Sequence, residues 1–306
     1  MKNISVLIKP ASGACNMTCD YCFYCDEAAK REQKFYGMMS EETLKNMIRR
    51  TMLHSEGSVS YTWQGGEPTL RGLDFFRKAL YLQKKYNRNH LQVINAFQTN
   101  GYGITDDWCM FFKENKFLVG VSVDGLPEIH DSIRHNKIGD GTFEQINKNI
   151  KLLDKYNVEY NILTVVTPKV AKNIKSIYAF YKQRGWHYQQ YIACLDPYGE
   201  EHGKMSYSIL PEQYGKFLVE LFKLWYKDLQ EGCHPYINFR KTDPRRFHGS
   251  VSGSPRPDVR HSIRQEKPDW DLGSCLSKSR CLAGKYRKMK NPPRFCGRLS
   301  VLGHYQ

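Results

Sequence analysis

Four cysteines fall within eleven positions near the start of the chain: Cys15, Cys19, Cys22 and Cys25, in the stretch KPASGACNMTCDYCFYCDEA, residues 9–28. Thiolates crowded into one loop bind soft metals or form redox pairs, so the available chemistry is a zinc ion, an iron–sulfur cluster or a dithiol. A structural zinc site draws its ligands as two separated pairs. The C-x3-C-x2-C-x2-C spacing instead packs all four into one loop, which fits a cubane cluster better. A four-iron cluster held by all four thiolates serves electron transfer; one held by three leaves an iron open to bind something else. The cysteine spacing allows both.

Elements must hold such a loop in place, and the sequence supplies a regular series of them. Strand-like runs, short and rich in β-branched and aromatic residues, occupy 4–9, 58–63, 91–97, 117–123, 158–166 and 188–194. Helical patterns lie between them. Ser40 is placed to cap a helix with Leu44, Met47, Ile48 and Met52 on one face; Phe76 and Leu80 mark the next, and Phe143, Ile146, Ile150 and Leu153 a later one. Pro211 suits the first turn of a helix over 211–230. Six βα units in succession predict a parallel sheet, doubly wound or curled into a barrel, with the working site at the carboxyl ends of the strands. The suggestive stretches fall there: the cysteine loop after the first strand, QGGEP (64–68) after the second, QTNG (98–101) after the third and DGLPEIH (124–130) after the fourth.

Composition bounds the rest. A chain of 306 residues, 41% hydrophobic and 25% charged, is ordinary for a soluble globular protein. No run approaches the roughly 18 apolar residues of a membrane span, and MKNISVLIKP lacks the apolar stretch of a signal peptide. The reading is therefore cytoplasmic, where clustered thiols stay reduced. The net charge of +15 is uneven: residues 233–306 carry 16 Lys and Arg against 5 Asp and Glu, the remainder 30 against 26. The near-neutral body gives no electrostatic case for a nucleic-acid groove, and the basic tail lacks aromatic interleaving. Cys109 and Cys194 read as buried small hydrophobes.

The residues around the cysteines carry a resemblance. An aromatic on each side of the third cysteine (Tyr21, Phe23) in C-x3-C-x2-C resembles the signature of radical S-adenosylmethionine enzymes, and WQGGEPTL (63–70) resembles their GGE motif. SVLIKPASGACNMTCDYCFY, FQTNG, FLVGVSVDG, EIH and YNILTVVT are similar to phrases of one branch, the anaerobic sulfatase-maturating enzymes, over about residues 4–230. The resemblance implies a parallel partial (β/α)6 TIM-like barrel; beyond residue 232 the sequence, rich in Pro, Gly, Ser and Arg and without periodicity, reads instead as an irregular basic C-terminal tail. The resemblance also implies a radical S-adenosylmethionine core over 1–232 and one [4Fe-4S] cluster on Cys15, Cys19 and Cys22, whose open iron chelates S-adenosyl-L-methionine. Tyr21, Gly66, Ser122, Arg134 and Leu195 would contact that cofactor, and Cys25 would be a spare thiol.

The function implied is oxidation of an active-site cysteine, or serine, of a sulfatase to formylglycine through a 5′-deoxyadenosyl radical. A flavodoxin- or ferredoxin-type donor supplies the electron, and no membrane is involved. In the branch, auxiliary [4Fe-4S] clusters and an aspartate base sit in a cysteine-rich C-terminal domain. Here residues 233–306 hold only Cys233, Cys275, Cys281 and Cys296, with no C-x2-C and no Cys-Asp pair. That tail is expected to be a truncated or frame-altered remnant that impairs the activity, so no catalytic residue is assigned. Two other readings stay open: a radical enzyme acting on another peptide or an RNA, and a non-enzymatic electron carrier with Cys25 as fourth ligand.

Overall fold

The structure, a computed structural model, describes residues 3–233 and 235–239. The expectations placed on the tail beyond 239, including Cys275, Cys281 and Cys296, lie outside the described residues. All that follows belongs to one compact unit, Met1–His248.

Nine strands are described: β1 (Ile4–Ile8), β2 (Met17–Cys19), β3 (Ser58–Trp63), β4 (Gln92–Thr99), β5 (Leu118–Ser122), β6 (Arg134–Asn136), β7 (Tyr160–Val166), β8 (Tyr188–Ala193) and β9 (Tyr236–Phe239). The helices among them are α1 (Phe23–Ala29), α2 (Glu41–His54), α3 (Leu73–Tyr86), α4 (Asp106–Glu114), α5 (Pro127–Asp131), α6 (Phe143–Lys155), α7 (Pro168–Lys172), α8 (Ile174–Gln183) and α9 (Pro211–Gln230). Seven strands form one sheet in the order β1-β3-β4-β5-β7-β8-β9, every pair parallel. Spatial order follows chain order without a reversal, so the sheet is singly wound. A doubly wound sheet needs a switch point, and this one has none. Crossovers of one hand then lay the helices on one face and leave the other to curl inward.

The six expected strands are all present, within three residues at either end. The seventh, β9, lies past residue 232, where no periodicity was legible. Four residues are too few to show alternation, and β9 is fixed instead by pairing with β8 from Tyr188↔Tyr236 to Tyr191↔Phe239. β2 and β6 form a separate antiparallel ribbon that sequence patterning also missed, for the same reason of length.

Burial alternates along the strands as a one-sided sheet requires. Val59, Tyr61 and Trp63 of β3 turn toward the helices, where Trp63 packs edge-on against Phe76 of α3 and Phe76 against Phe97 of β4. Each such buried ring contributes about 1.5–3 kcal/mol. Ser40 caps α2 by accepting from Thr43 N–H at 3.1 Å, and Leu44, Ile48 and Met52 form its buried face. On the opposite face of the sheet Gln98 reaches across β5 to donate to Ser122 Oγ at 3.2 Å. Gly120 makes that possible, because a Cβ there would collide with the Gln98 amide. No helix among the described residues is long and apolar enough to cross a membrane.

Candidate active site

The cysteine loop leaves β1, and the GGE stretch beneath it explains its shape. Gly66 has φ +56, and a Cβ on it would drive into the carbonyl of Ala14. Glycine here lets two backbones touch: Glu67 N–H donates to that carbonyl at 2.8 Å. The Glu67 carboxyl is fully buried and accepts from Thr69 N–H and Oγ1, Thr99 Oγ1 and Asn100 N–H, at 2.8–3.0 Å. Burial raises its pKa despite these donors. By fixing the Asn100 backbone, Glu67 aims the Asn100 amide at Asn16 Oδ1 (2.8 Å) and at Cys15 Sγ (3.5 Å).

A second support comes from the end of β5. The ribbon pairs Cys19 with Arg134. Arg134, 6% exposed, donates its Nε to Asp124 Oδ2 at 2.7 Å and points Nη1 at Cys19 Sγ, 3.8 Å away. Asp124 is fully buried; Oδ2 also accepts from the Tyr21 hydroxyl, and Oδ1 from Val165 N–H at 2.9 Å. Burial, with Asp124 adding to it, holds the Tyr21 phenol well above its ordinary pKa, and the Arg134 guanidinium lies 5.4 Å over its ring. Asp124 thus joins the cysteine loop to β5 and β7, a role that the reading of DGLPEIH as merely suggestive did not assign.

His130 completes this support. Its Nδ1 accepts from Asp124 N–H at 3.2 Å, so the proton sits on Nε2 and faces Thr142 Oγ1 at 3.1 Å. Thr142 in turn donates to the Arg134 carbonyl at 3.1 Å. Burial lowers the His130 pKa to about 4. A histidine whose folded pKa is depressed binds fewer protons folded than unfolded, so its neutral form supports stability fully above about pH 6.5. That support falls away as pH drops toward 4, by about 3 kcal/mol in all. Urea unfolding from pH 7 to 4 should show this loss in the parent chain and a reduced slope in His130→Asn; equal slopes would contradict it.

The four thiols differ. Cys15, Cys19 and Cys22 are half-buried and Cys25 is exposed. Burial raises the Cys15 thiol and pushes Cys19 to about 12, whereas a hydrogen bond from Cys25 pulls Cys22 down to about 6. Met17 N–H also faces Cys15 Sγ at 3.5 Å. Among the described residues no three His, Cys, Asp or Glu side chains converge as ligands of a single metal ion. A cluster makes no such demand, since each thiolate takes its own iron. Three sulfurs, two of them met by N–H donors that stabilise thiolate charge, fit that group.

Of the other expected cofactor contacts, Ser122 is 8% exposed at the end of β5, and Leu195, 45% exposed, follows β8. Gly66 and the cysteine loop share one end of the sheet. Within the protein Arg134 meets the carboxylate of Asp124. Cys109 and Cys194 are buried, as expected.

Three thiols on the loop after the first strand of a singly wound parallel sheet, buttressed by a GGE turn, define a class. A profile of the radical SAM superfamily matches residues 10–180, and the chain belongs to that superfamily. Within it, the chain is 46% identical over 239 residues to the cysteine-type anaerobic sulfatase-maturating enzyme of Clostridium novyi, covering 78% of this chain and 64% of that protein. It is 37% identical over 242 residues to the serine-type enzyme of Bacteroides thetaiotaomicron, covering 74% and 58%. The native structure of anSMEcpe with bound AdoMet superposes with a TM-score of 0.74 at 45% identity, over 76% of this chain and 64% of that one. The same protein with AdoMet and a Cp18Cys peptide gives 0.73 at 44%, over 77% and 63%. The chain thus spans less than two thirds of the length of these relatives.

Proposed function

We propose that this chain is a radical S-adenosylmethionine oxidoreductase that acts on a polypeptide, converting a cysteine or serine of a sulfatase to formylglycine. The observation that carries this reading is the loop of Cys15, Cys19 and Cys22, seated on Gly66 and Glu67 and pinned by Arg134. The likeness to sulfatase-maturating enzymes of both types supports the substrate class.

When bound, the [4Fe-4S] cluster and S-adenosyl-L-methionine supply one-electron reductive cleavage of a carbon–sulfur bond. The chain's own residues do the rest. Cys15, Cys19 and Cys22 would hold three irons, and the Asn100 and Arg134 N–H groups would stabilise thiolate charge on two of the sulfurs. Tyr21, Gly66, Ser122, Arg134 and Leu195 are assigned to the cofactor, and the sheet face that carries Gln98 to the peptide. Electrons are assigned to a flavodoxin- or ferredoxin-type donor. Cys25 takes no part in ligation in this reading; an electron carrier would require it.

Incubating the reconstituted full chain with S-adenosyl-L-methionine, reductant and a cysteine-containing sulfatase peptide should yield 5′-deoxyadenosine and, with the activity impaired by the tail, a smaller amount of peptide aldehyde by mass spectrometry. Cofactor cleavage that leaves the sulfatase peptide unchanged but modifies another peptide under the same conditions would move the assignment to another substrate.

A further inference from the structure

We propose that Cys22 and Cys25 form a reversible disulfide in the iron-free chain, a modification site that closes the cluster loop until a thiol reductant reopens it. Cys22 is the N-cap of α1 and Cys25 lies in its first turn, with Cys25 N–H bonded to the Cys22 carbonyl at 3.0 Å. Positions three apart on a helical turn hold their Cβ atoms about 5–6 Å apart, and a small backbone shift at Cys22, whose N-cap backbone is extended rather than helical, brings them to the roughly 4 Å of a disulfide. Asp26 N–H also bonds to the Cys22 carbonyl, at 3.2 Å, so two backbone bonds close the turn that carries both thiols.

Apart from the exposed Cys233, the other thiols among the described residues are engaged elsewhere. Cys15 is held by Met17 N–H and the Asn100 amide, and Cys19 is set into the ribbon opposite Arg134. Cys109 and Cys194 are buried in the core. Within the cysteine loop only Cys25 is exposed, so the thiol that closes the link stands in solvent beside the ligand it would block.

The oxidant is a small disulfide of the glutathione class. The Cys22 thiolate attacks one of its sulfurs, forming a mixed disulfide and releasing one thiolate. Cys25 then attacks the Cys22 sulfur, breaking the mixed disulfide and releasing the second thiol. The protein gives up two protons and two electrons, and the small disulfide takes up both. A dithiol reverses the exchange. That oxidation blocks iron uptake rests on the reading of Cys22 as a ligand; the disulfide itself does not.

The test uses the full chain, freed of iron and held without oxygen. It is treated with oxidised glutathione, alkylated and mapped by peptide mass spectrometry. The expected link joins Cys22 to Cys25, and Cys25→Ser should instead retain glutathione on Cys22. Iron uptake should be lost on oxidation and restored by dithiothreitol. A link from Cys22 to Cys15 or Cys19, or a Cys25 that stays free while Cys22 oxidises, would overturn the proposal. A chain carrying the Cys22–Cys25 link that still loads iron unchanged would leave the pair standing and overturn Cys22 as a ligand.

Discussion

Cys15→Ala, Cys19→Ala and Cys22→Ala should each abolish assembly of the cluster, whereas Cys25→Ala should leave it intact. The three half-buried thiols sit where Asn100, Arg134 and the loop backbone hold them, and Cys25 is exposed on the first turn of α1. Removing one of three protein ligands leaves an iron without its thiolate. After anaerobic reconstitution, iron bound in this loop should drop from about four per chain to near none in the three variants. Visible absorption and electron paramagnetic resonance report the same loss. An equal loss in Cys25→Ala would favour a fully ligated electron carrier over a site with an open iron.

The second large effect is structural. Asp124→Ala should destabilise the described unit by about 3–5 kcal/mol, because it strands the Arg134 guanidinium in the interior without its counter-charge. The substitution also removes the acceptor of the Tyr21 hydroxyl and of Val165 N–H. Urea unfolding of the full chain measures the cost. Asp124→Asn, which keeps an acceptor but not the charge, should fall between. If the alanine variant lost under 1 kcal/mol, the carboxylate would not be holding the cysteine loop to β5 and β7.

How much of this was readable in the sequence depends on the range over which each feature is encoded. β3 and α2 follow local alternation and capping: Val59, Tyr61 and Trp63 at a period of two, Ser40 ahead of Leu44, Ile48 and Met52. Such patterns are legible because each residue's burial depends on its own element. The motif residues of the candidate site were legible as candidates too, since Cys15, Cys19, Cys22 and Gly66 lie in short motifs of fixed spacing. The layer beneath it was not. Tyr21 meets Asp124 across 103 residues, and Cys19 meets Arg134 across 115. Nothing in a window of ten residues marks such pairs. The three-residue strands β2 and β6, and the four of β9, are likewise set by their partners. A signal for Asp124 did exist: a charged residue directly after the buried run Val119–Val123 must find partners there.

The central claim is that this loop holds a cluster with an iron left open for S-adenosyl-L-methionine. The measurement that tests it most directly takes the reconstituted full chain, without any peptide, and adds dithionite and S-adenosyl-L-methionine under anaerobic conditions. Chromatography should find 5′-deoxyadenosine and methionine accumulating together, and neither in Cys22→Ala. A fully loaded chain that releases no 5′-deoxyadenosine would contradict it.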